Sequence, residues 1–144
     1  MASLIPGLER SVPIPEEWAK PFFDAANQKK LVVQQCQGCH TRHYPPKQKC
    51  DKCNSTAPLS WVEVKGRGHI DVYFVVRDSR IRGFRSAQPI NFAIITLDDD
   101  PGLNFLSNLP GTPAGQVPVG APVEVVFDES VDPKQLVPEW RVVK

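Results

Sequence analysis

Leu31-Val-Val-Gln-Gln-Cys36-Gln-Gly-Cys39-His-Thr-Arg-His-Tyr-Pro-Pro-Lys-Gln-Lys-Cys50-Asp-Lys-Cys53 sets the architecture of this chain. The segment holds all 4 cysteines of the sequence in two Cys-x-x-Cys knuckles, Cys36 with Cys39 and Cys50 with Cys53. Sulfurs three positions apart on a tight turn point at one ion. Residues 40–49 are long enough to fold back as a short ribbon and bring the second pair to the same point. The pattern predicts a four-cysteine zinc ribbon, with Cys36, Cys39, Cys50 and Cys53 as ligands of one structural zinc.

Two other uses of four thiols compete. Disulfides need an oxidising compartment, and Met1–Arg10 carries neither the cationic segment nor the apolar run of a secretion signal. Iron accepts the same tetrahedron of sulfurs. Rubredoxins, which hold iron that way, separate their knuckles by far more residues, so zinc leads.

Composition bounds what surrounds the ribbon. A chain of 144 residues with 41% hydrophobic content suits one compact domain, or a domain with a small module attached. A formal net charge of +1 offers no global reason to bind nucleic acid or an anionic membrane. The 15 prolines predict loops and short elements rather than long helices. The longest strongly apolar runs, Val72–Val76 and Phe92–Ile95, are too short to cross a bilayer. A soluble, cytoplasmic protein is expected.

Three segments follow: an arm and helical segment at 1–30, the ribbon at 31–60, and a barrel with a C-terminal extension at 61–144. Residues 1–13 read as an irregular arm. In 14–30, Trp18, Phe22, Ala25 and Ala26 recur on one helical face, Pro15 suits the first helical position, and Pro21 predicts a kink or two short helices. Leu31–Val33 leads into the first knuckle as a strand, and Asn54 and Ser55 turn out of the second. Strands are expected at Trp61–Val64, Ile70–Val76, Asn91–Leu97, Leu103–Leu106, Pro122–Phe127 and Trp140–Val143, with Gly66-Arg67-Gly68 as a turn or bulge. In the second of these, Ile70, Val72, Phe74 and Val76 alternate, which predicts that all four share one buried face. The fold class is mainly β: a helical segment, the zinc ribbon, then a five-stranded antiparallel OB-fold barrel.

This order resembles the family catalogued as domain of unknown function 35, the acyl-CoA-associated ribbon–OB proteins. The resemblance runs from Trp18 to Phe127. It is carried by the Leu31–Cys39 entry, Tyr44-Pro45-Pro46, Cys50-x-x-Cys53-Asn54-Ser55, Trp61-x-x-Val64-x-Gly66-Arg67-Gly68, Pro89–Leu97 and Val119-Gly120-x-x-Val123. Three positions depart from the family's habit: His40 stands where Gly is frequent, Lys47 where Arg is, and Asp51 where Pro is. The resemblance implies an accessory subunit of a thiolase-like or aldolase-like enzyme acting on an acyl-CoA, inactive alone. Coenzyme A thioester would be the shared ligand.

The remaining side chains carry weaker signals. All four thiols are committed to the ribbon, so no catalytic residue is expected here. His40 and His43 read as surface residues or, less favoured, as a substitute zinc ligand; His69 reads as an exposed strand residue. Asp98-Asp99-Asp100 before Pro101-Gly102 reads as a solvated turn. Lys65, Arg67, Arg77, Arg80, Arg82 and Arg85 form a basic stretch. Arginine forks suit phosphates, so Arg80, Arg82 and Arg85 are candidate contacts to coenzyme A. The competing reading is a solvated loop. Trp18 and Phe22 are candidate contacts to the partner enzyme. The rival functions are a nucleic-acid-binding ribbon–OB module, which the charge balance disfavours, and a scaffold bridging two enzymes with no ligand of its own.

Overall fold

The computed structural model describes residues 3–54, 56–130 and 134–143; Ser55, expected in the turn after the second knuckle, lies outside the described residues. Chain order begins with a 3-10 turn, Glu17–Ala19, and one helix, α1 (Lys20–Asn27). Pro21 sits in the first turn of α1, where its missing N–H costs nothing, so the helical segment does divide in two. Pro15 lies ahead of both pieces rather than at a helix start.

Three strands form the ribbon sheet: β1 (Val32–Cys36), β2 (Arg42–His43) and β3 (Leu59–Glu63), in the order β2-β1-β3. Five more, β4 (Arg67–Val76), β5 (Ile90–Leu97), β6 (Asn104–Ser107), β7 (Pro122–Glu129) and β8 (Leu136–Val142), form an antiparallel sheet ordered β6-β5-β4-β7-β8. The strand expected to open the barrel, Trp61–Val64, thus pairs with the ribbon: Gln34 faces Trp61 and Val33 faces Val62. The barrel's fifth strand is the extended C-terminal one, which pairs with β7 from Val123–Val142 to Glu129–Leu136. Gly66 turns the chain between the two sheets with φ of 70°, a conformation that favours glycine.

The sheet curls until its edges meet. Ser107 on β6 accepts the Trp140 backbone N–H of β8 at 2.9 Å, and the Asn108 N–H donates to Glu139 Oε1 at 2.7 Å. The barrel is therefore nearly closed, and side chains rather than a ladder complete the seam. Inside lie Ile70, Ala93, Ile95, Leu97, Phe105, Val123 and Trp140.

One expectation fails instructively. Ile70 faces Ile95 and Val72 faces Ile94, so Asp71 is an extra residue, a β-bulge. Past the bulge the strand's faces exchange. Ile70 stays 1% exposed, while Val72 and Phe74 stand 55% and 56% exposed. Tyr73, between them, packs on the core. The alternation in sequence is unbroken, but the backbone is not.

Candidate metal centre and its surroundings

The ribbon brings the four sulfurs together. Cys36 and Cys53 Sγ are 3.8 Å apart, Cys39 and Cys50 3.7 Å, and Cys50 and Cys53 3.8 Å. All four lie within 4.8 Å of one another. Sulfurs each about 2.3 Å from a central zinc make a tetrahedron with edges of about 3.8 Å, so the donor set fits a closed four-thiolate site. A disulfide would need sulfurs about 2.05 Å apart, and no pair is so joined.

Local geometry prepares thiolates. The Gly38 N–H reaches Cys36 Sγ at 3.3 Å and the Lys52 N–H reaches Cys50 Sγ at 3.4 Å, one bond per knuckle. Backbone at Cys39 lowers the Cys36 thiol from its ordinary value, with Gly38 assisting against the opposing effect of burial. Thr41 stands 3.1 Å from Cys39 Sγ, and its hydroxyl, then its backbone, lower that thiol to about 6.

His43, expected at the surface, is buried, 6% exposed, with Nε2 3.3 Å from Cys50 Sγ. Burial, then the Lys47 charge, lower its pKa, which favours a neutral ring bonded to the sulfur. His43 thus supports the cluster from behind rather than replacing a ligand. Its place on β2, opposite Gln34, was the missed signal. His40 is exposed and adopts φ of 62°, the left-handed conformation that explains why glycine is frequent there. Lys47 and Asp51, the other two departures, complement each other: Nζ lies 2.6 Å from Oδ2. The Lys47 hydrogen bond holds the Asp51 carboxyl below its ordinary range. The Lys47 backbone is further clamped by the buried Gln34 side chain, donating at 2.8 Å and accepting at 2.7 Å.

An aromatic chain ties ribbon to barrel. Tyr44, from Tyr44-Pro45-Pro46, stacks 4.1 Å from Phe105 and 5.4 Å from Phe22, and Phe105 lies 5.3 Å from Trp140. Burial, and then the Glu139 charge, push the Tyr44 hydroxyl up to about 12. Phe22, expected at the partner surface, is 4% exposed and fills this chain, reaching solvent only at the floor of a cleft beside Phe23; Trp18 remains exposed.

The N-terminal arm is irregular, as expected, and it is tied to the barrel by side chains. Arg10 Nε lies 2.7 Å from Asp128 and Nη2 lies 3.3 Å from Glu139. Ser3 Oγ and the Leu4 N–H also donate to Asp128, at 2.5 and 2.7 Å. Burial alone would raise Asp128, but these hydrogen bonds with Ser3, Arg10 and Leu4 hold it below its ordinary range. Burial raises Glu139 in spite of Arg10.

Arg80, Arg82 and Arg85 lie on the β4–β5 connection, around a second 3-10 turn, Arg82–Phe84. They are exposed, and neither they nor Arg77 pair with a carboxylate among the described residues. His69 sits half-exposed between Asp71 and Asp98, 3.2 Å from each. Asp100 accepts the Gly102 N–H at 3.1 Å, closing the expected turn. Among the described residues, the four cysteines are the one metal-competent cluster, and no helix is long and apolar enough to cross a membrane.

Known proteins share this arrangement. A family model described as the rubredoxin-like zinc ribbon domain of ChsH2 matches residues 23–58, and one described as the C-terminal OB-fold domain of ChsH2 matches 61–128. A solved chain titled Ltp2-ChsH2(DUF35) aldolase is 28% identical with a TM-score of 0.78, covering 91% of this chain and 98% of that one. A DUF35-family structure from Sulfolobus solfataricus, 23% identical with a TM-score of 0.58 over 86% of this chain and 84% of its own, shares the fold. A probable enoyl-CoA hydratase alpha subunit of Thermomonospora curvata is 31% identical over 122 residues, 83% of this chain. The chain spans only 36% of that relative's length.

Proposed function

Since the chain belongs to the DUF35 family of ribbon–OB-fold proteins, we propose that it is the zinc-binding accessory subunit of a two-component acyl-CoA enzyme. The partner would be a thiolase-superfamily protein acting as a retro-aldolase or thiolase. One observation carries the reading: the likeness to the aldolase-associated chain extends over nearly the whole length of both. Hydration of an enoyl-CoA yields a β-hydroxyacyl-CoA, the kind of compound an aldolase cleaves. A β-hydroxyacyl-CoA is therefore the compound class that would connect a hydratase with an aldolase.

Division of labour follows from the side chains. Cys36, Cys39, Cys50 and Cys53 hold zinc as a closed structural site, with His43 hydrogen-bonded to Cys50 behind it. With its only cysteines so engaged, the chain leaves nucleophile and acid–base groups to the partner. Its own part is to stabilise that partner and shape the acyl-CoA entrance, with Arg80, Arg82 and Arg85 addressing coenzyme A phosphates.

Tagged chain purified from its native cell should carry one zinc and bring a thiolase-like subunit with it. The pair should cleave or thiolyse a β-hydroxyacyl- or β-ketoacyl-CoA, and this chain alone should not. Within the pair, changing Arg80, Arg82 and Arg85 to alanine should raise KM for the thioester with kcat nearly unchanged, the mark of uniform binding. Turnover by this chain alone, or the absence of any thiolase-like partner, would overturn the reading; unchanged kinetics would return the arginines to a solvated loop.

A further inference from the structure

The bulge at Asp71 turns the apolar row of β4 outward, and the neighbouring strands continue that row. Val72 faces Ile94, and Ile94 faces Leu106, so three apolar side chains cross β4, β5 and β6 in one line. One step along, Phe74 faces Phe92 and stacks on it, ring centres 5.4 Å apart. Val72, Phe74 and Leu106 are each more than half exposed. Outward positions of an antiparallel sheet that faces water are normally polar, and contiguous exposed apolar surface of this kind marks interaction sites.

The patch is joined to the arginine loop. Phe84, between Arg82 and Arg85, lies 5.8 Å from Phe92. On its other side the loop is held by the arm: the Glu9 N–H donates to Gly83 O at 3.0 Å, and a Cβ on Gly83 would meet Glu9 O at 2.1 Å. The arginines therefore stand on a braced turn at the rim of an apolar face. Beside that face opens a cleft of about 460 Å³, lined among others by Phe23, Ile81, Phe84, Leu106 and Val137, large enough to receive apolar side chains from outside. An apolar and aromatic centre with an arginine rim is the composition of a protein–protein interface.

We propose that the outer face of β4–β5–β6, with Phe74, Phe92, Ile94 and Leu106 at its centre, is the docking surface for the catalytic subunit. This rests on the accessory reading above. The occupant is the partner's acyl-CoA-binding edge. Four arginines without a carboxylate partner among the described residues complement the polyanionic phosphates of a thioester bound there, and docking of the apolar face brings them into reach.

The test uses the native two-component complex. Placing the photo-crosslinker p-benzoylphenylalanine at position 74 or 106 should yield crosslinks that peptide mass spectrometry maps to the catalytic subunit. The same group at Val119, an exposed apolar residue on the β6–β7 connection, should yield none. The double variant Phe74→Glu with Leu106→Glu should keep its zinc content and thermal transition yet bind the partner at least about 100-fold more weakly. Val119→Glu should bind like wild type. Crosslinks from 119 alone, no crosslink from 74 or 106, or crosslinks from 74 to a second copy of this chain would overturn the docking surface. So would wild-type affinity in the double variant. All of these outcomes leave the accessory reading intact. Wild-type chain that brings down no catalytic subunit overturns both.

Discussion

The ribbon and the barrel are held together by different means. The ribbon sheet has strands of five, two and five residues, and its apolar side chains Leu31, Val33 and Val64 belong to the barrel's cluster rather than to a core of its own. Its independent order comes from four sulfurs around one point. The barrel closes over Trp140, Ile70, Ile95 and Leu97, and seals its seam with Ser107, Asn108 and Glu139. A small sheet of this size needs a metal because it cannot bury enough surface, whereas a near-closed barrel can. Tyr44 is the joint: carried on the ribbon, it is buried against the barrel's Phe105.

Breaking the ribbon should have the largest effect. Cys50→Ser removes one of four zinc ligands and forfeits metal-binding free energy on the order of 10 kcal/mol. Backbone amides of β1 and β3 should lose hydrogen-exchange protection while β4, β5 and β7 keep theirs. Simultaneous loss across both sheets would show that Tyr44 couples them into one cooperative unit. Striking the barrel instead, Trp140→Ala should destabilise by about 3–5 kcal/mol in chemical denaturation, through lost burial and the cavity left behind. Zinc content should be unchanged at temperatures where the protein stays folded.

Two smaller effects sharpen the contrast. His43→Ala should leave the four ligands in place yet weaken zinc affinity about 10- to 100-fold in competition with a chelator, the range for groups that hydrogen-bond a metal ligand; unchanged affinity would make His43 a packing residue only. The least effect concerns pH and belongs to the barrel. Glu139 has a folded pKa raised by burial, so its contribution to stability is present below about pH 4, its unfolded range, and is lost as pH rises through the folded value. Asp128, lowered, behaves oppositely: its contribution is present above about pH 4 and lost as pH falls through its folded value. From pH 4 to 8 the stability of Glu139→Gln relative to wild type should therefore improve. A gap that does not move with pH would mean that Glu139 titrates as it does in the unfolded chain.

Local spacing alone carried the metal site. Two knuckles and a ten-residue separation leave a short chain few ways to place four sulfurs except around one ion, so Cys36, Cys39, Cys50 and Cys53 were legible before any fold was known. The split helix at Pro21 and the approximate places of every strand but the two-residue β2 were legible for the same reason: proline geometry and side-chain alternation act within a few residues. Pairing partners and facing were not. Leu59–Glu63 joins β1 rather than the barrel because a strand's partner depends on which edge lies free in three dimensions. The inserted Asp71 reversed the faces of β4, and a bulge leaves no mark on an alternating pattern because the extra residue matters only against the opposing strand. Arg10, Asp128 and Glu139 lie far apart in sequence and look like surface charges there. Only the nearly closed barrel brings them into one buried network, where a single guanidinium reaches both carboxylates and offsets part of the charge that burial would otherwise penalise.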